Sequence, residues 1–193
     1  MSRKQDSSNA ANATTSGGNT LNYMKETRLV KELFASLVKD ELFQLWHEKH
    51  PHAFLSHFFS PLDVNCNLLG AWEVGYFDMD TNKATVFVPG EKNFAIKPAD
   101  DVFKKESTDV EELKLDSVSL LFDEAVQICR ENLPLLFPKE NLGNGFVILQ
   151  TLESKPLWNF TFISRSFKFV NIKINAASGE IETHQTVELM QKN

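Results

Sequence analysis

The sequence predicts an α+β fold made of two repeats, each an amphipathic helix packed on an antiparallel β-meander. Three observations lead there. Apolar residues recur at three- and four-residue spacing in two separate stretches, which is one face of a helix. Each stretch is followed by segments where apolar and polar residues alternate between polar turns, the pattern of half-buried strands. The halves also align on a tryptophan: Trp72 with Val74 and Tyr76, and Trp158 with Phe160 and Phe162, each open a strand that a turn and a further strand follow. The expected organisation is a disordered tail over residues 1–22, a first repeat over 23–106 and a second over 107–193.

The elements follow in order. Residues 1–22 are Ser, Asn, Ala, Thr and Gly with almost no apolar side chains, too few to offset the entropy of ordering. Val30, Leu33, Phe34, Leu37, Val38, Leu42, Leu45 and Trp46 predict one helix, ended or kinked by Pro51. A loop-like stretch, Ser60 to Gly70, leads to a hairpin whose turn is Asp78 to Lys83. Its first strand carries Trp72, Val74 and Tyr76 on one face, and its second carries Ala84, Val86 and Val88. A short third strand holds Phe94 and Ile96, and a charged connector follows, with room for a helical turn. The second helix runs through Val118, Leu121, Phe122, Ala125, Cys129 and Leu133. Ser117 or Ser119 is its expected cap, Asp123 and Glu124 complement its dipole, and Pro134 closes it. Four strands follow, with turns at Glu153–Pro156, Ser164–Ser166 and Ala176–Gly179.

Composition narrows the function classes. The net charge of −6 and the lack of a basic stripe disfavour a nucleic-acid partner. No stretch approaches the ~20 apolar residues of a membrane span, and the N-terminal residues lack the apolar core of a secretory signal, so the expected compartment is cytoplasmic. Cys66 and Cys129 form no Cys-x-x-Cys motif. They read as two reduced, largely buried thiols, with a single long-range disulfide left open.

The second repeat resembles the PepSY domain of peptidase propeptides and a spore-germination protein. The resemblance rests on the strand opened by Trp158, on the run from Ile174 to Ile181 (Ile-Asn-Ala-Ala-Ser-Gly-Glu-Ile), and on the helix start from Ser119 to Ala125. Asn175 and Ser178 stand where the family has Asp and Thr. The match covers Leu115 to Val187; in the first repeat Trp72 fits, while Val88 to Lys92 replaces the Gly-Glu hallmark. The resemblance implies a non-catalytic protein-interaction or inhibitory module, often associated with peptidases.

The residues themselves offer little chemistry. His47, His50, His52 and His57 crowd one region, but the spacing departs from the zinc-peptidase His-Glu-x-x-His, and the cluster reads as a polar helix end. Asp78, Asp80 and Asn82 begin like a calcium loop, yet Lys83 and Pro89 stand where Gly and Glu are needed. Gly143 and Gly145 precede a strand, not a helix N-terminus, so they form no phosphate cradle. No catalytic, cofactor or metal residue is therefore assigned. Trp72, Tyr76, Trp158, Phe160 and Phe162 are expected in the core; Phe77, Ile163, Phe167 and Phe169 fall on other faces, which the other repeat or a second subunit would cover, or where a protein partner would bind. A structural homodimer through those faces, and a small-ligand binder or enzyme with a pocket between helix and curved sheet (as a cystatin-like shape permits), are the alternatives.

Overall fold

The computed structural model describes residues 30–97 and 110–189. The expected tail over 1–22 and the boundary near Glu106 lie outside them. The described residues are α+β: three helices and a 3₁₀ turn against one eight-stranded antiparallel sheet.

The first helical stretch is two helices rather than one. α1 spans Val30–Leu37 and α2 spans Glu41–Lys49. The apolar spacing runs on through the break, but Asp40 stops it. Its backbone is extended and its carboxylate accepts from the Leu42 and Phe43 N–H groups, the geometry of an N-cap. The other carboxylate oxygen accepts from Phe94 N at 3.0 Å, tying the cap to the sheet.

β1 follows as Ala53–Leu62, where the sequence suggested no strand. It pairs with β2 (Glu73–Asp78) on one side and with β5 (Leu142–Leu152) on the other, so it lies at the centre of the sheet. β3 (Lys83–Pro89) and β4 (Phe94–Ile96) extend one wing; β6 (Lys155–Ser164), β7 (Lys168–Asn175) and β8 (Ile181–Glu188) extend the other. Between the wings, the connector re-enters with Leu113 N donating to Leu55 O, beside the first residues of β1.

α3 spans Phe122–Leu136. Ser117 and Ser119 do not cap it. Instead Glu124 reaches back to accept from Leu121 N at 2.7 Å, while Ser119 N and Leu120 N both donate to Ala176 O. Pro134 lies inside the last turn, and the helix closes two residues beyond it, with Phe137 N donating to Leu133 O. The loss of one donor near a helix end is tolerated there because few hydrogen bonds remain downstream.

All three helices feed one continuous core on one face of the sheet. Trp72, Val74 and Tyr76 of the first wing and Trp158, Phe160 and Phe162 of the second are buried in it. Phe122 of α3 meets both Trp72 (5.1 Å) and Trp158 (5.6 Å), and the two indoles lie 5.9 Å apart. Phe43 and Trp46 of α2 pack on Tyr76 and Phe87. On β3 the core residue is Phe87, not the expected Val86 and Val88: the register sets Phe87 opposite Val74 and Val86 opposite Gly75, which turns the valines to the other face.

Candidate functional site

The other face of the sheet carries the least expected chemistry. Cross-strand pairing lays it out in rows. Phe59 stands opposite Ile148, and Ile148 opposite Asn159; Pro61 stands opposite Phe146, and Phe146 opposite Thr161; Ile163 stands opposite Phe169. Phe59 and Phe146 rings lie 5.7 Å apart, as do those of Phe54 and Phe77. These side chains are half-buried, and Ile163 is exposed. None of them belongs to the core that the helices share. Phe167, expected on a strand face, sits in the β6–β7 turn with φ +56° and is exposed.

A polar seam crosses this apolar face. At the bulge between Leu55 and His57, Ser56 Oγ donates to Gly75 O (3.0 Å) and lies 2.9 Å from His57 Nδ1. The His57 ring lies flat over Gly75, where any Cβ would come within 2.1 Å of it; only glycine leaves that space. Burial pushes the His57 pKa down to about 4, so the imidazole is neutral at ordinary pH. Further along, Asn171 Nδ2 contacts Asn159 Oδ1, Phe160 O and Thr161 Oγ1. Asn171 Oδ1 is buried and finds no donor among the described residues.

The four histidines do not converge. His50 Nδ1 pairs with Asp78 Oδ2 and His52 Nδ1 with Asp80 Oδ2, both at 2.9 Å. His47 packs on Phe43 and Tyr76, and His57 lies on the open face. Among the described residues no three His, Cys, Asp or Glu are grouped as a metal site. Two sequence features thus account for each other: the aspartates of the calcium-like turn are the partners of the histidines. Asp78 also accepts from Asp80 N and Thr81 Oγ1, and the His50 hydrogen bond holds its carboxyl below the usual carboxylate range.

The space between α3 and the sheet is filled by Trp72, Phe122, Trp158 and Phe160, all buried. An open groove of about 690 Å³ lies elsewhere, at the C-terminal end of α3, between Val64, Arg130, Pro134, Phe137 and Asn141. Cys66 and Cys129, distant in sequence, both lie beside it, since Arg130, next to Cys129, bonds to Asn65 and Asn67 on either side of Cys66. Both thiols are free and buried. His184 is on β8, the outermost described strand of its wing, and is exposed. The sequence reading missed the His57–Ser56–Gly75 seam. Its only sequence signal was a glycine between Val74 and Tyr76 in a strand, which marks close approach by a neighbour.

Comparison with known proteins adds a distant likeness. No family model matches the chain, and no curated protein matches it. Among solved structures, it is similar to a candidate lipoprotein of Clostridium difficile 630, at 11% identity over 76% of this chain and 90% of that one, with a TM-score of 0.35. Among the described residues no helix is long and apolar enough to cross a membrane.

Proposed function

We propose that the chain is a non-catalytic protein-interaction or regulatory module of PepSY-like type, whose protein partner docks on the open face of the sheet. The observation that carries this reading is the apolar band of Phe54, Phe59, Phe77, Phe146, Ile148 and Phe169 on the face no described helix packs against. An antiparallel sheet exposed to solvent on one side ordinarily alternates apolar with polar residues, and a contiguous apolar patch marks an interaction surface. The sheet edge is the weaker candidate. β8 presents Glu182, His184, Gln185 and Glu188, and charged side chains on an edge strand oppose strand addition.

The repeat reading has its own support. α2 with β1–β4 and α3 with β5–β8 follow the same order, and Trp72 and Trp158 reach the same core beside the second strand of each. At the PepSY-like ending, Gly179 has φ +81°, and Asn175 Oδ1 accepts from Ala177 N and Ser178 N, as that turn chemistry requires.

The test is affinity purification of the tagged chain from its native cell beside a Phe59→Ser/Phe146→Ser variant whose circular dichroism confirms folding. The expected result is a protein retained by the original chain and lost from the variant. Identical recovery on both chains, or turnover of a small molecule with no protein retained, would overturn the reading. A dimer in light scattering that the double substitution dissociates would make the occupant a second copy and remove the separate partner.

A further inference from the structure

Cys66 and Cys129 are the only cysteines of the chain, and the fold goes to some length to bring them together. Cys66 sits in the β1–β2 loop with φ +60°, a left-handed backbone that disfavours non-glycine residues. The loop enforces that conformation. Asp63 Oδ1 accepts from Asn65 N and Asn67 N, both at 2.8 Å, Cys66 N donates to Asp63 O at 3.0 Å, and Asp63 N donates to Asn67 O at 2.9 Å. The result turns the Cys66 side chain inward, where it is 2% exposed; Cys129 of α3 is fully buried.

Burial and a charged clamp fix this juxtaposition. Both thiols lie in the same core cluster. Arg130, the next residue on α3, straddles Cys66, donating through Nε to Asn65 O (2.6 Å) and through Nη2 to Asn67 Oδ1 (3.0 Å). Loop and helix are therefore clamped on both sides of the sulfur pair before any covalent bond exists.

We propose that Cys66 and Cys129 are a redox couple: a peroxide-class oxidant closes an intrachain disulfide between them, stapling the β1–β2 loop to α3. The Cys66 sulfur attacks the O–O bond of the peroxide, giving a sulfenic acid and one water; the Cys129 sulfur then attacks the Cys66 sulfur, forming the S–S bond and releasing the second water. Two thiols are oxidised and one peroxide is reduced. Cys66 is the attacking group: it lies between the two residues that hold the Arg130 guanidinium, whose charge favours a thiolate there. Cys129, fully buried, is the resolving group. The disulfide closes a loop of roughly sixty residues, a length at which a cross-link strongly restricts the unfolded chain.

The test exposes the full chain to hydrogen peroxide under native conditions, then denatures and alkylates it and measures the intact mass. The expected product is monomeric, about 2 Da lighter, carries no alkyl group, and reverts with dithiothreitol. Its thermal midpoint stands roughly 10 °C above that of the reduced chain. Cys66→Ala and Cys129→Ala each abolish the 2 Da loss, and Cys129→Ala accumulates an oxygen adduct on Cys66. The proposal is overturned if both cysteines remain fully alkylated after oxidation, if the bond forms only in denaturant, or if disulfides join two chains.

Discussion

The two faces of the sheet are both rich in apolar side chains but are treated differently by the rest of the molecule. On the covered face, Trp72, Phe87, Trp158, Phe160 and Phe162 are sealed under α1–α3. On the open face, Phe54 pairs with Phe77 and Phe59 with Phe146 across strands, and these rings and Ile148 stay half-buried. The covered face holds the fold together; the open face keeps an apolar surface beyond what the described packing uses. That surplus, together with a neutral, half-buried His57 and an unmatched Asn171 carbonyl, is the basis for proposing that a partner binds the open face.

Substitutions on opposite faces sharpen the contrast. Trp158→Ala empties the centre of the covered face and is expected to lower the unfolding free energy by about 3–5 kcal/mol in urea titration. Phe59→Ala on the open face is expected to cost about 1 kcal/mol, because its ring is only half-buried. Equal losses would erase the distinction.

Acid titration reaches the open face through His57. His57 has a folded pKa of about 4 against an ordinary 6.5. The unfolded chain therefore takes up a proton below pH 6.5 that the folded chain refuses until pH 4. Stability from this group is complete above pH 6.5, falls by about 3 kcal/mol between pH 6.5 and 4, and is level below that. The fall should flatten in His57→Gln. The Asp78 contribution lies lower: its carboxyl is depressed, so its stabilisation is present above the ordinary carboxylate range and fades as pH drops through the lowered value. A His57→Gln profile parallel to that of the original chain would mean that this ring is solvated.

A smaller difference lies within the covered face. Trp158 Nε1 donates to Leu120 O at 3.0 Å, whereas Trp72 Nε1 has no acceptor among the described residues. Both indoles are fully buried. Replacing each by Phe creates a similar void, but Trp158→Phe also strands a carbonyl, so it should cost about 1–2 kcal/mol more than Trp72→Phe in thermal or urea unfolding.

Sequence patterning revealed the half-buried elements and hid those apolar on both sides. β2 with Trp72, Val74 and Tyr76, and β6 with Trp158, Phe160 and Phe162, alternate plainly. β1 does not, because Phe54, Phe58 and Phe59 place aromatic groups on both faces of the central strand, and period-2 contrast disappears. The break between α1 and α2 was hidden for a related reason: apolar spacing continues across it, and only Asp40, a capping residue amid that pattern, marks the stop. The Asp78 and Asp80 pairings with His50 and His52 and the meeting of Cys66 with Cys129 join residues far apart in the chain, and spacing carries no signal for such contacts.

The most direct test of the division between faces is hydroxyl-radical footprinting of the tagged chain, first within its affinity-purified complex and then alone. The prediction is that Phe59, Phe146 and Phe169 are oxidised less in the complex, while exposed Leu45 and Leu135, on the helices of the other face, react equally in both states. Unchanged oxidation of the three phenylalanines, with protection appearing instead along β8 or the α3 groove, would contradict it.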